Sequence, residues 1–164
     1  MKLISFERKG ISLIEIIIVI SVLALLIGLA STSFIPRQGR TAQTTSISTF
    51  LTDLRAQQIK AMTGDTEGRG IKSAYGIHFE EESYTLFHGD TYSFIDSSNF
   101  VVNLEDGTTI SPTTFPDSQI VFEKDTGEVV GFVSGSNTIT IRNSINNEEK
   151  IITINKYGAA TDIN

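Results

Sequence analysis

The chain has 164 residues, a formal net charge of −6 and no cysteine. The acidic balance argues against general binding to nucleic-acid backbones, which requires a basic face. The lack of cysteine excludes disulfides, thiolate metal sites and thiol nucleophiles. The residues after position 30 are numerous enough for one modest domain with its own core.

The chain begins with a short basic segment, residues 1–10, that ends in Gly10. Residues 11–30 then form an apolar run in which Glu15 is the only ionisable side chain. As an α-helix this run would be roughly 30 Å long, about the thickness of the hydrocarbon core of a bilayer. Arg8 and Lys9 directly precede it, so the positive-inside rule predicts a single-pass membrane helix with a cytoplasmic N-terminus and an extracytoplasmic C-terminal domain.

A conventional secretory signal peptide has the same polarity and is the first alternative. Its apolar region usually spans 7–15 residues and ends at small residues, and Gly28-Leu29-Ala30 would serve as a cleavage site. The run of residues 11–30 is longer than that range and contains Glu15. A signal peptide does not need a carboxylate in its apolar region, so the pattern favours a retained helix.

Glu15 requires a specific explanation because a charge within an apolar helix is costly and normally marks a partner. Cleavage after Gly10 would give Ile11 a free α-amino group at the start of the same helix. In a bundle of staggered copies, the Glu15 carboxylate of one subunit could lie beside the Ile11 amine of its neighbour. Each charge would then neutralise the other, so the pair predicts assembly through this helix.

The sequence around Gly10 resembles the type IV prepilins and the pseudopilins of type II secretion systems. Their signature is a basic leader ending in glycine, then an apolar helix with glutamate at its fifth position, and Gly10, Ile11 and Glu15 match it. The resemblance implies cleavage between Gly10 and Ile11 by a prepilin peptidase, N-methylation of Ile11, and assembly with other pilin or pseudopilin subunits at an inner-membrane platform. It also implies that the subunit stays in the inner membrane until it enters a filament.

Residues 31–63 are predicted to form a linker and an amphipathic helix. Pro36 removes a backbone donor; it is either a bend in a pilin-like helix or a plain break after the apolar run. Between residues 41 and 62 the apolar side chains follow the helical spacing of three and four residues. They are Ile47, Phe50, Leu51, Leu54 and Met62.

Residues 64–164 are predicted to form a β-rich globular domain. Strands are expected at residues 74–79, 83–87, 92–95, 100–104, 119–123, 129–133, 138–142 and 150–154. Turn signals at residues 106–107, 125–127 and 146–147 indicate hairpins. The predicted fold class is α+β: a long N-terminal transmembrane helix, an amphipathic helix, and an antiparallel β-sheet or β-sandwich. This order is most similar to the H-type minor pseudopilins and related minor pilins.

The residues that could suggest catalysis or metal binding are better explained as parts of turns and hairpins. No enzyme activity, cofactor or metal is therefore expected. Asp125-Thr126-Gly127 matches the aspartic protease triplet, but that chemistry needs two facing copies, and a turn is the better interpretation. His78 and His88 lie among acidic residues, where a solvated hairpin is favoured over a metal cluster.

The sequence thus predicts a minor pilin or pseudopilin, a structural subunit of a type IV pilus or of a type II secretion pseudopilus. One alternative is an extracytoplasmic β-domain binding protein, either anchored or conventionally secreted. Another is a DNA-uptake minor pilin, although the C-terminal segment carries one lysine, Lys156, and no arginine cluster. The mature N-terminus separates these classes: Ile11 for a pilin, a residue near Ser31 for secretion, and Met1 for an uncleaved anchor.

Overall fold

The computed structural model describes residues 12–31, 35–111 and 113–164, with the side chains of all of these except residues 29–39. The chain divides into two compact units, Met1–Arg37 and Gln38–Asn164. The first contains helix α1, and the second contains an antiparallel β domain that packs against most of helix α2.

Helix α1 spans Leu13–Ser31. Ser12 stands at its N-cap, where the Ser12 carbonyl accepts hydrogen bonds from the N–H of Glu15 at 3.0 Å and of Ile16 at 3.3 Å. The Leu- and Ile-rich sequence continues the helix without an interior proline.

The structure corrects the predicted transmembrane helix. Within the described parts of the chain, no helix is both long enough and apolar enough to cross a membrane. Helix α1 begins at Leu13, two residues later than expected, and has Glu15 in its first turn. The 19 residues of α1 give a helix about 28 Å long. Its first turn carries the Glu15 carboxylate, so the uncharged part of the helix is shorter than the ~30 Å hydrocarbon core of a bilayer. The fold is α+β with antiparallel sheets, and the membrane-spanning element of the predicted fold class is wrong.

Helix α2 spans Ile35–Thr63 and contains the predicted amphipathic helix, except that Met62, predicted on its apolar face, is 49 % exposed. Phe50, Leu54, Gln57 and Ala61 are buried at helical spacing, and they form the face that packs on the β domain. The helix ends at Thr63, and the following Gly64 has a φ of +63°, the left-handed conformation that commonly terminates helices.

The β domain consists of two four-stranded antiparallel sheets. The first sheet has the order β3-β2-β1-β5 and the second has the order β4-β6-β7-β8. The strands of the first sheet are β1 (Tyr75–Phe79), β2 (Ser83–His88), β3 (Phe100–Asn103) and β5 (Gln119–Phe122). Those of the second are β4 (Thr108–Ile110), β6 (Thr138–Asn143), β7 (Glu149–Ile154) and β8 (Ala160–Ile163).

One hydrophobic core joins α2 to both sheets. Phe50 contributes from the helix, Tyr84 and Phe79 from the first sheet, and Ile141 and Ile152 from the second. The Phe50 ring makes edge-to-face contacts with the rings of Phe79 and Tyr84, at centroid distances of 5.8 and 5.6 Å. Such aromatic pairs add to the stabilisation that burial alone provides.

Buried polar side chains fix the position of α2 on the sheets. Gln43 Nε2 donates hydrogen bonds to the carbonyls of Ile141 at 2.9 Å and Glu148 at 3.1 Å. The Tyr84 hydroxyl donates to the Asp53 carboxylate at 2.6 Å. Burial, together with this bond, raises the pKa of Tyr84 well above its ordinary value, so the phenol stays protonated and remains a donor.

Six of the eight predicted strands are present, with small shifts at their ends. Residues 92–95 form part of a turn-containing loop instead, and near residues 129–133 there is a single bridge, between Phe122 and Val129. Strands β4 and β8 were not predicted. Asn146-Asn147 forms the expected hairpin between β6 and β7, whereas Asp106-Gly107 lies where the chain passes from the first sheet to the second.

Candidate functional site

The candidate functional site is the surface of α1, because it combines apolar side chains on every side with one carboxylate. Glu15 lies in the first turn of the helix, and its side chain is exposed. Each large apolar side chain described in α1 is at least 49 % exposed. These residues are Leu13, Ile14, Ile16, Ile17, Ile18, Val19, Ile20, Val22, Leu23, Leu25, Leu26 and Ile27. Helices that are apolar all round are normally buried by neighbouring elements.

The other residues predicted for processing and assembly differ in how far the structure describes them. Gly10 and Ile11 lie outside the described residues, so the cleavage and methylation site stays a prediction. Pro36 is the second residue of α2. Proline is accepted in the first helical turn because the N–H groups there have no helical acceptor. Residues 32–34, which precede α2, are outside the described range, so the predicted bend also stays a prediction.

The structure separates the two histidines that the sequence placed among acidic residues. His78 pairs with Thr85 across β1 and β2, and His88 pairs with Tyr75. Residues an odd number of positions apart along a strand face opposite sides of the sheet, so His78 and His88 point away from each other. In the described portion of the chain, no group of three or more His, Asp or Glu side chains could hold a metal ion.

His78 lies beside a small second core, formed by Ala74, Phe87 and Val121 with Tyr92, on the face of the first sheet opposite α2. Its ring stacks on Tyr92 at a centroid distance of 4.0 Å and an interplanar angle of 7°. Burial lowers the pKa of His78, and the nearby Glu80 carboxylate partly offsets this effect. The loop that contains Tyr92 is therefore held by a histidine that is most stable in its neutral form.

Substitution of His78 by phenylalanine is expected to flatten the pH dependence of stability. The unfolded histidine has a pKa near 6.5, and the folded value is lower. As the pH falls below 6.5, the unfolded chain takes up a proton that the folded chain resists, so the free energy of unfolding of the native protein decreases. In His78→Phe the ring stack remains and this loss disappears.

Chemical denaturation between about pH 7 and pH 5 measures this effect. Glu80→Gln removes the charge that favours protonated His78 and should make the loss on acidification steeper. An unchanged pH dependence in His78→Phe would show that other groups cause it.

The Asp125-Thr126-Gly127 triplet forms a tight turn, as predicted. The Asp125 carboxylate accepts a hydrogen bond from Lys72 Nζ at 3.0 Å, and the Asp125 N–H donates to the Ala61 carbonyl. Gly127 has a φ of +68° and approaches α2 so closely that a Cβ atom would lie 2.3 Å from Met62 Cγ. The triplet thus secures a turn against the helix, which is a structural role.

Two polar residues, Gln57 and His88, line the same cavity; the sequence pointed to His88 only as a possible metal ligand and did not point to Gln57. Gln57 is 3 % exposed, and its Oε1 atom has no hydrogen-bond partner; the buried Nε2 of His88 also has none. The sequence contained a signal that Gln57 is buried, because this residue lies in the apolar stripe of α2 between Leu54 and Ala61. No comparable signal exists for His88, since its position depends on strand register.

Comparison of this chain with models of known protein families, with characterised proteins and with solved structures finds no match.

Proposed function

We propose that this chain is a minor pilin or pseudopilin, a structural subunit that is processed after Gly10 and assembled through helix α1. The observation that supports the proposal is the exposed apolar surface of α1 with Glu15 in its first turn. The basic leader that ends in Gly10 adds a second, sequence-based argument. The proposed partners are other subunits with similar helices, a prepilin peptidase and an assembly platform.

Burial of α1 among copies of itself would supply the free energy of assembly. Covering a leucine or isoleucine side chain stabilises by roughly 1.5–3 kcal/mol, and α1 presents such side chains around its whole circumference. A bundle of parallel helices can cover all of these sides at once, whereas a single partner helix covers one stripe.

Glu15 would then determine the register of the subunits. A carboxylate in an apolar bundle is costly unless an opposite charge lies beside it. Processing after Gly10 would create the α-amino group of Ile11, and a neighbouring copy could bring that amine to Glu15. Subunits in another register would leave both charges unpaired, so the pair favours one stagger.

A specific observation supports a second candidate, a secreted β-domain binding protein. The unit Gln38–Asn164 contains its own core and could act without α1. In that case α1 would be removed near Ser31. DNA uptake is less well supported, because the C-terminal strand β8 carries Asp162 and has no basic side chain.

Cysteine cross-linking tests assembly through α1, because the natural chain contains no cysteine. We expect Ile18→Cys and Val22→Cys in α1 to give cross-linked multimers with a short bismaleimide in intact cells. Ile71→Cys, at a residue that is 73 % exposed in a loop of the β domain, is the matched control. It should stay mainly monomeric. Equal cross-linking at all three positions, or none in α1, would contradict the proposal.

A further inference from the structure

Strand β3 lies at an edge of the first sheet, where half of its backbone groups face outward. Its pairing with β2 continues past the strand, because the Leu104 N–H donates to the Glu82 carbonyl at 3.0 Å. In an antiparallel pair, hydrogen-bonded residues alternate with residues whose N–H and C=O groups point the other way. The outward groups of β3 therefore belong to Val101 and Asn103, and they can pair with one more strand.

The other edge strands of the described β domain are protected against such pairing. Beyond β5, Val129 forms a bridge with Phe122, and the Val130 N–H donates to the Val121 carbonyl at 2.9 Å. Strand β4 has three residues, and β8 carries Asp162 and pairs irregularly with β7. Shortness, charge and irregularity are the usual protections of a sheet edge. Strand β3, Phe-Val-Val-Asn, has no charge, no proline and no shift in register.

The side chains of β3 present an apolar row beside this open edge. Phe100 is 65 % exposed, and the half-buried Val102 and Leu104 continue the row on the face of the sheet that packs on α2. The cavity between α2 and the first sheet, about 260 Å³ in volume, lies next to Phe100. A strand added to this edge would place every second side chain on the same face. Apolar residues at those positions would cover the row by cross-strand contacts.

Two carboxylates follow β3 and determine the charge that such a strand needs. Glu105 and Asp106 are exposed, and the ion pairs among the described residues include neither of them. Antiparallel pairing is slightly more stable than parallel pairing. An added antiparallel strand would bring the residues before its apolar stretch beside Glu105 and Asp106, and opposite charges in that arrangement attract. The edge therefore favours a segment that begins with basic residues.

The same charges disfavour a second copy of β3 as the occupant. Asp96 precedes β3 and is exposed. Two copies paired antiparallel would bring the Asp96 end of each beside the Glu105 and Asp106 end of the other. Like charges across neighbouring strands are destabilising.

We propose that β3 binds an extended segment of another polypeptide as an added antiparallel strand. The segment has basic residues first and then apolar side chains at alternate positions. Its main chain bonds to Val101 and Asn103, while the apolar row and the two carboxylates select its sequence. This inference rests on the β domain and is independent of assembly through α1.

The probe is the acetylated and amidated peptide Lys-Lys-Val-Thr-Val-Thr-Val-Gly. Paired antiparallel, its valines lie opposite Phe100, Val102 and Leu104, its threonines opposite Val101 and Asn103, and its lysines opposite the two carboxylates. The isotope-labelled full-length protein is titrated in a zwitterionic detergent, which covers α1 without adding net charge. We expect saturable shifts and slower hydrogen exchange at the amides of Val101 and Asn103, with a dissociation constant of about 1 mM or lower. The Val102 amide, which already bonds to β2, is the internal reference.

Two altered peptides test the two parts of the recognition. N-methylation of both threonines removes the N–H groups that face β3 and should abolish the shifts. Replacing both lysines by glutamates should weaken binding about tenfold, which is about 1.4 kcal/mol. In the double variant Glu105→Lys and Asp106→Lys, the glutamate peptide should bind more tightly than the lysine peptide.

A variant pair in the protein connects the binding to the strand edge. Val101→Pro removes an outward N–H, and proline is tolerated at such a position of an edge strand. It should abolish binding, whereas Val101→Thr keeps the N–H and should bind like the native protein. No saturable shift with the lysine peptide, or equal binding of the N-methylated peptide, would overturn the proposal. Protection of Val101 and Asn103 that rises with protein concentration and without any peptide would also overturn it, because a second copy would then occupy the edge.

Discussion

Replacement of Glu15 by alanine is expected to abolish incorporation of the chain into filaments while its synthesis and folding continue. In the proposed bundle the Glu15 carboxylate neutralises the α-amino group of a neighbour's Ile11. Removing one member of a buried charge pair costs about 3–5 kcal/mol, which lowers the association constant by a factor of about a hundred or more. Recovery of the variant with filaments sheared from cells, relative to total cellular protein, measures the effect.

Two further variants separate the charge from other properties of the helix. Glu15→Gln keeps the size and hydrogen-bonding capacity of the side chain but removes its charge, and it should fail in the same way. Ser21→Ala removes a hydroxyl that donates to the Ile17 carbonyl within the same helix, and it should assemble normally. Filaments with a normal content of Glu15→Gln would show that the charge has no part in assembly.

Phe50→Ala, on the face of α2 that packs on the β domain, should strongly destabilise the fold. The Phe50 ring is 1 % exposed and contacts the rings of Phe79 and Tyr84. Its loss leaves a cavity where α2 meets the first sheet, and we expect the free energy of unfolding to fall by about 3–5 kcal/mol. Chemical denaturation monitored by circular dichroism measures the change.

Phe94→Ala provides the same chemical change at a residue that is 84 % exposed. It should alter the free energy of unfolding by less than about 0.5 kcal/mol, as exposed substitutions usually do. Similar losses in Phe50→Ala and Phe94→Ala would mean that Phe50 is not the centre of the core described above.

The helices and most strands could be predicted because their sequences carry strong local signals. The apolar residues of α2 repeat with helical spacing, and strands such as β6 and β7 alternate buried and less buried residues. The membrane span was wrong because the length of the apolar run was equated with the length of the helix. The apolar run starts at Ile11, but α1 starts at Leu13 and has the charged Glu15 in its first turn.

The strand errors have specific physical causes. Tyr92 has high β-propensity, but its ring stacks on His78 from a loop. Gly131, with a φ of +62°, lies within the predicted strand at residues 129–133, where the structure has one bridge. Strand β4 has three residues, too few for a periodic signal, and the four residues of β8 include one large apolar side chain, Ile163. Both are edge strands: β4 pairs with β6, which lies much later in the chain, whereas β8 pairs with the preceding strand β7.

The candidate sites also differ in how well they could be predicted from the sequence. Glu15 was predictable because a lone carboxylate in an apolar run is conspicuous in sequence. The cavity between α2 and the first sheet was not, because Gln57, His88 and Phe100 come from a helix and two strands whose register only the fold defines.

The most direct test of the central claim is the intact mass and N-terminal residue of the protein isolated from its native cells. For a processed and assembled subunit we expect a chain that starts at Ile11, with the added mass of one methyl group on its amine. A chain that starts near Ser31 would contradict the account, because α1 would then be absent from the mature protein and could not assemble it.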